Sequence, residues 1–252
     1  GDHDGQPSLL HEDLLSFAKG NSFAAITASL FLGRKIQSKE LEDFVDFILR
    51  LLVDHGPYVS GAVNTIITAR AGRDLVSSLS AGLLTIGPRF GGAINQAAAN
   101  WLQGVEGGSD AASFVESFAS KRQYISGIGH KKYRVDLPDP RVLEILKFSE
   151  GLGQKPFMHF AQEVEKITTA KKGNLILNVD GAIACVLLDI LSEKEGMNNE
   201  ELQRLTEIEF FNSLFVLSRS VGFIAHFLDQ KRLDEGIFRL PEDMVAEADL
   251  GE

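Results

Sequence analysis

Ser38-Lys39-Glu40-Leu41-Glu42-Asp43-Phe44-Val45-Asp46-Phe47-Ile48-Leu49-Arg50-Leu51-Leu52 decides the fold class. Leu41, Phe44, Val45, Ile48 and Leu52 recur at the i, i+3, i+4, i+7 spacing of a helix with one apolar face. Ser38 is placed to cap it, and Glu40 and Glu42 lie in the first turn, where the helix dipole favours negative charge. The same punctuation returns further along the chain. Asp139-Pro140 combines an N-cap with proline at the first helical position. Asn198, with Glu201 three residues on, is close to a capping box. Breaks at Gly56-Pro57, Gly87-Pro88, Gly104 to Gly108, Pro138 and Gly151 to Pro156 leave roughly ten helices, and alternating strand patterns are hard to find. The expectation is an all-α protein.

Small residues cluster in Ser60 to Thr65 and again in Gly91 to Ala99, which lets helix backbones approach closely. That predicts helices buried on several sides, in a large helical core or at a helix-to-helix dimer seam. A chain of 252 residues, 44% apolar, fits one large domain or a large domain with a smaller lobe. The opening residues 1–10 read as a flexible remnant of something longer, 11–241 as the folded body, and 242–252 as an acidic tail.

A net charge of −10 argues against general nucleic-acid binding. The basic residues are nonetheless clustered: Lys121, Arg122, Lys131, Lys132, Arg134 and Arg141 form one group, and Lys166, Lys171 and Lys172 another. Such clusters bind a small anion or simply carry solvated charge. The single cysteine, Cys185, lies in an apolar stretch, so neither a disulfide framework nor a cysteine metal site is expected. Asn178, Asp180 and Asp189 interrupt the longest apolar run. The expectation is a soluble, cytoplasmic protein without a metal or a membrane span.

The residues able to do chemistry are few. Asp180 sits between Leu175-Ile176-Leu177 and the run Ala182 to Leu188. Desolvation there would raise its pKa and make it a useful acid or base, unless it merely caps a helix starting at Gly181. His130 lies between Gly127-Ile128-Gly129 and Lys131-Lys132-Tyr133-Arg134, where the glycines let a ligand approach the backbone. His55, beside Gly56-Pro57, either projects into a cleft or serves the surface, while His226 lies in a helical period and reads as structural. Arg219 follows the apolar Phe215-Val216-Leu217, and a buried guanidinium needs an anionic partner. Arg141, Arg219 and Arg239 together would recognise a di- or tricarboxylate.

Longer runs join these pieces. Asp54-His55-Gly56-Pro57 to Gly72, Asp74 to Leu79, Gly82 to Gly87, Arg89-Phe90-Gly91-Gly92-Ala93, Gly127 to His130, Glu163 to Thr169, Asn174 to Gly181 and Gly222 to Arg232 resemble the citrate synthase superfamily. Within it they resemble the citryl-CoA-cleaving module of ATP-citrate lyases, from about residue 11 to 241. That resemblance implies an all-helical, citrate synthase-like fold and an intertwined dimer whose two subunits build the active site. It implies that His55, His130, Arg141 and Arg219 hold the citryl or oxaloacetate part, with Arg239 supplied by the partner subunit. Asp180 matches the catalytic aspartate that exchanges a proton with the acetyl methyl carbon, and His130 would take the citryl hydroxyl proton. Lys131, Lys132, Arg134, Lys171 and Lys172 become candidates for the phosphates of coenzyme A.

Phe90 departs from the synthase pattern, which has a histidine at that point. A phenyl ring donates no hydrogen bond to a forming enolate, and losing such a donor costs about 3 to 4 kcal/mol of transition-state stabilisation. The lyase branch is similar to this chain in having phenylalanine, which places Phe90 at the substrate. The function implied is cleavage of citryl-CoA to acetyl-CoA and oxaloacetate. A stand-alone citryl-CoA lyase and a mainly structural oligomerisation core are the alternatives. No phosphate loop is present, so ATP and Mg would be handled by other, succinyl-CoA synthetase-like domains of a parent enzyme. A homodimer is the least the shared arginine requires, and a tetramer fits the resemblance.

Overall fold

The computed structural model describes residues 2–3, 6–87, 90–108 and 110–246. The chain opens with three short antiparallel strands, β1 (Asp2–His3), β2 (Gln6–Leu9) and β3 (Glu12–Asp13). Twelve α-helices follow among the described residues: α1 (Leu14–Gly20), α2 (Phe23–Leu32), α3 (Lys39–Leu51), α4 (Ser60–Arg70), α5 (Leu75–Leu83) and α6 (Ala93–Glu106), then α7 (Ala111–Ser120), α8 (Pro140–Lys147), α9 (Pro156–Lys171), α10 (Val179–Glu193), α11 (Asn199–Glu207) and α12 (Phe210–Leu233). A 3-10 turn at Glu242–Met244 ends the described chain. The strands at residues 6–9 and 12–13 were not foreseen, because runs this short carry no readable alternation. Gly1, Asp4 and Gly5 of the expected flexible start, and 247–252 of the expected acidic tail, lie outside the described residues, as do Pro88 and Arg89.

The capping signals hold. Ser38 Oγ accepts from Leu41 N and starts α3, Asp139 caps α8 with Pro140 behind it, and Asn198 with Glu201 closes a reciprocal capping box on α11. Leu41, Phe44, Val45 and Ile48 are fully buried, as their spacing requires.

The chain divides into two compact units, Gly1–Leu52 with Gly87–Ser218, and Val53–Ile86 with Arg219–Glu252. In the first, α10 is the central element. It packs against α3, α6, α8, α9 and α11, and Gly181 to Leu191 are buried without interruption. Cys185 is among them, a small core residue. Asp189, in the same run, accepts hydrogen bonds from Phe157 N and Met158 N at 3.1 and 2.9 Å. It thereby satisfies the first amides of α9, which has no side-chain cap of its own. Glu195, also buried, holds the entry to α3, accepting from Gln37 N, Ser38 N and Ser38 Oγ while paired with Arg34.

In the second unit α4 and α5 pack on each other through small residues. A Cβ on Gly61 would lie 2.1 Å from Phe223 Cζ, and one on Gly82 would lie 2.2 Å from Thr65 Oγ1. The small-residue run Ser60 to Thr65 therefore makes room for neighbours inside the unit. By length and composition α12 is apolar enough to cross a membrane, with mean hydropathy 1.3 over its most apolar window. From the sequence His226 lies in a helical period here, but a helix this long and apolar was not foreseen, since spans were judged from the interrupted run around Asp180. Long core helices meet the same criterion, and 44% of that window is buried.

Candidate active site

Asp180 stands in the first turn of α10, half-buried. The helix begins at Val179, and Asn178 is its cap, through Gly181 N donating to Asn178 Oδ1 at 3.1 Å. Asp180 is therefore not the cap that its neighbourhood also allowed. Apolar neighbours in sequence did not bury it deeply, because the first turn of a helix is its open end. The deeply buried acid is Asp189, whose carboxyl burial pushes up to about 7 against the hydrogen bonds from Met158 and Phe157. Its shift comes from the core, so it marks a structural cap rather than the reacting group.

The loop carrying His130 is bound edge-on to the segment leading into α10. Gly129 N donates to Ile176 O at 2.7 Å, His130 N to Asn174 O at 3.0 Å and Asn178 N to Gly127 O at 3.0 Å. Side chains add to this: Asn174 Nδ2 donates to His130 O and Asn178 Nδ2 to Gly129 O, at 3.2 and 3.0 Å. Gly127, at φ 94°, lies directly against Gly181. A Cβ on Gly127 would be 2.8 Å from Gly181 Cα, and one on Gly181 would be 2.4 Å from Gly127 O. Gly127 thus serves the approach of loop to helix, rather than opening the backbone to a ligand. Trp101 Nε1 donates to Gly181 O at 3.1 Å. The consequence for chemistry is that His130 and Asp180 are carried by two backbones in contact.

His130 has a defined ring state. Lys132 N and Tyr133 N both donate to its Nδ1, each at 3.0 Å. The ring hydrogen then resides on Nε2, so the imidazole is a neutral donor at that atom. It holds no lone pair there with which to take a hydroxyl proton. The base role was expected of His130; this hydrogen-bond pattern favours a donor at Nε2 instead. The Tyr133 ring lies 4.7 Å from the His130 ring, and the Arg141 guanidinium 6.0 Å from the Tyr133 ring.

Arg141 meets Asp139 in a bidentate pair, Nε to Oδ1 at 3.0 Å and a terminal nitrogen to Oδ2 at 2.7 Å. Asp139 also accepts from Arg141 N at 3.0 Å, so one carboxylate caps α8 and fixes the guanidinium that follows it. Burial pushes the Asp139 carboxyl up, but the Arg141 hydrogen bonds and the Arg141 charge outweigh it and hold it below the usual range. Arg141 is in turn kept charged, first by Asp139 and also by Tyr133 and Asp180. Asp180 thus lies within electrostatic reach of Arg141. The sequence showed Asp139 only as a cap, and its second role follows from the short span between residues 139 and 141.

Backbone pairing also joins the two basic groups. Val135 N donates to Gly173 O and His130 N to Asn174 O, which sets 131–134 beside 171–172. Lys131, Lys132, Arg134, Lys171 and Lys172 are exposed there. Arg134 pairs with Asp136 at 2.8 Å, and Lys171 approaches Glu116 at 3.9 Å. A cavity of about 310 Å³ opens beside them, lined by Arg134, Val135, Asp139, Val142, Glu165 and Leu177 among others. Phe90 stacks edge-on against Phe215 at 6.3 Å, in a tight turn where Gly87 N and Phe90 N each donate to the other residue's carbonyl.

The second unit carries His55, Arg219 and Arg239. His55 is exposed between Asp54 and Gly56. Asp54 accepts from Gly56 N at 3.0 Å and pairs with His226 Nε2 at 2.9 Å, so the structural reading of His226 holds and it braces the His55 turn. Arg219 is 4% exposed. Arg239 is exposed and follows a segment held by Arg70, which bonds Gly236 O at 2.7 Å, pairs with Glu235 and lies over the Phe238 ring.

The family model of the citrate synthase C-terminal domain matches residues 8–240. A probable ATP-citrate synthase of Caenorhabditis elegans is 49% identical over 207 residues, which are 81% of this chain and 19% of that protein. The ATP citrate lyase of Methanothrix soehngenii, solved in complex with citrate and coenzyme A, superposes with a TM-score of 0.90 at 38% identity. That match covers 96% of this chain and 39% of the other. The citryl-CoA lyase of Hydrogenobacter thermophilus shares the fold, with a TM-score of 0.83 at 24% identity over 100% of this chain and 93% of its own. The chain therefore spans 19% of the nematode relative's length, and 37% of the Schizosaccharomyces pombe relative's. With that pattern running through the His130 loop, α10 and α12, the chain belongs to the citrate synthase family and has its all-helical fold.

Proposed function

We propose that this chain is the citryl-CoA-cleaving module of an ATP-citrate lyase, releasing acetyl-CoA and oxaloacetate. The observation that carries the reading is the contact of Gly127 with Gly181, which holds a neutral, Nε2-protonated His130 and the carboxyl of Asp180 on adjoining backbones. As the carbon–carbon bond of citryl-CoA breaks, its electrons pass to the acetyl carbon. The hydroxyl oxygen gives up its proton to water and becomes the ketone of oxaloacetate, so one proton leaves there and one is delivered to the acetyl carbon. His130 donates a hydrogen bond to that oxygen. Asp180, protonated at that moment, delivers its proton to the enolate carbon of the acetyl group. Arg141, held charged and oriented by Asp139, neutralises a substrate carboxylate. Support for the substrate comes from the relatives, named ATP-citrate synthase or solved with citrate and coenzyme A.

The remaining roles follow the family pattern. His55 and Arg219 bind the oxaloacetate end, Arg239 serves the partner subunit of a homodimer, and Phe90 borders the substrate. Lys131, Lys132, Arg134, Lys171 and Lys172 meet the phosphates of coenzyme A. Citrate activation by ATP and Mg belongs to succinyl-CoA synthetase-like domains of the parent enzyme, in the cytoplasm.

The test supplies citryl-CoA to the purified chain without ATP and follows oxaloacetate through malate dehydrogenase and NADH. Turnover is expected, with Asp180→Asn abolishing it while coenzyme A still binds. A folded chain that releases no oxaloacetate, or an Asp180→Asn variant with near-normal turnover, overturns the reading.

A further inference from the structure

We infer that Asn178 is a positioning residue for the reaction: its single amide ties the loop bearing His130 to the helix bearing Asp180. The inference rests on the lyase reading above and extends it to a residue two positions before the acid. Asn178 Oδ1 accepts from Gly181 N at 3.1 Å, which starts α10 and orients its first turn, including Asp180. Its Nδ2 donates to Gly129 O at 3.0 Å, on the residue immediately before His130. Its backbone N donates to Gly127 O at 3.0 Å. The two ends of one planar amide are therefore engaged with the two backbones whose separation sets the His130–Asp180 geometry.

The chemistry of the residue type makes the claim specific. An N-cap needs only an oxygen, and serine or aspartate caps about as well as asparagine. Neither offers a second arm that donates. A serine hydroxyl has a donor only on the same oxygen that caps, whereas the amide carries the acceptor for Gly181 N and the donor for Gly129 O on two separate arms. Gly129 itself is at φ 101°, a left-handed conformation that glycine adopts without strain, and its carbonyl is the one that Asn178 holds. Asn174 Nδ2 donates to the His130 carbonyl, so the two asparagines hold consecutive carbonyls of the loop, and Asn178 is the one that also caps the helix bearing Asp180.

Asn178→Ser and Asn178→Asp both keep the cap oxygen and lose the separate donor arm, and the aspartate adds an oxygen facing Gly129 O. For Asn178→Ser a shift of the thermal midpoint of about 2 to 4 °C is expected from one lost hydrogen bond. The expected kinetic result in both variants is a fall in kcat of about 10- to 100-fold, as for a slightly misplaced catalytic group. KM for citryl-CoA should stay within about threefold. Hydrogen exchange read by mass spectrometry should quicken at Gly129, His130, Lys132 and Tyr133 while 183–191 keep their protection. Parent-like kcat in both variants overturns the inference, and so does parent-like exchange of the loop. Faster loop exchange with unchanged kcat also overturns it, since Asn178 would then be structural only. If the parent chain itself turns over no citryl-CoA, the lyase reading fails, and the exchange measurement still decides whether Asn178 couples the two backbones. Should Asn178→Ser not fold, Asn178→Asp carries the same readouts.

Discussion

Replacing Gly181 with alanine tests the central contact by sign as well as size. Gly181 is the third residue of α10. In an unobstructed helix, glycine to alanine stabilises by about 1 kcal/mol. Here the new Cβ would stand 2.4 Å from Gly127 O, 2.7 Å from Leu177 Cδ1 and 2.8 Å from Gly127 Cα. Leu177 can turn aside, but the Gly127 backbone cannot move alone, since Asn178 N holds its carbonyl at 3.0 Å. Ordinary contact requires loop and helix to separate by about 1 Å. That costs roughly 1 to 3 kcal/mol in overpacking and strains the Asn178–Gly127 and Trp101–Gly181 hydrogen bonds, each worth about 1 kcal/mol. Less the helix gain, the net loss is about 2 to 4 kcal/mol. For a chain of this size the midpoint of thermal unfolding, followed by circular dichroism, should fall by roughly 5 to 15 °C. Citryl-CoA turnover should fall with it, because His130 moves away from Asp180. An alanine variant as stable as the parent, or more so, would refute the contact and the site built on it.

Asp189 predicts a pH dependence of stability. Its folded pKa of about 7 lies above the ordinary value of 3.8. Between those values the folded chain holds a proton that the unfolded chain has lost, so stability falls as pH rises from about 4 to 7, by at most about 4 kcal/mol. Asp189→Asn should flatten that part of the slope in denaturant unfolding between pH 5 and 8, and an unaltered slope would exclude Asp189 as its source. Asp139→Ala removes the bidentate brace of Arg141 and should raise KM for citryl-CoA roughly tenfold. An unchanged KM in steady-state kinetics would mean that Arg141 does not hold the substrate. Mixing inactive Arg239→Ala with inactive Asp180→Asn should restore up to about a quarter of parent turnover, through hybrid dimers with one whole site. No recovery after subunit exchange would argue that Arg239 does not serve the partner's site.

Much of the fold was legible because helices announce themselves locally. The apolar spacing from Leu41 to Leu52, the Ser38 cap, Asp139-Pro140 and the Asn198–Glu201 box each involve residues within a few positions, and each is found as read. The family pattern likewise named His130, Asp180 and Arg141, which the first unit brings together. What the sequence could not carry was anything set by partners distant along the chain. Asp180 and Asp189 both sit in the apolar run that becomes α10, yet Asp189 is buried and Asp180 is not. Exposure there depends on which turn the neighbouring helices cover.

His130 shows the same division at the level of one atom. Its glycine-framed place in the loop was plain from the sequence, but its role depends on Lys132 N and Tyr133 N folding back onto Nδ1. That turn fixes where the proton resides and makes the ring a donor. Gly127 was readable as a special backbone position, though not as the surface against which Gly181 rests, 54 residues away (181 − 127). The sequence by itself thus determined an all-helical fold, since helices follow from local periodicity and caps, and it pointed to candidate reacting groups through the family resemblance. The tertiary structure alone decided which acid is buried, which nitrogen bears the hydrogen and which glycine makes room for which, because burial and hydrogen-bond direction arise only where separate segments meet.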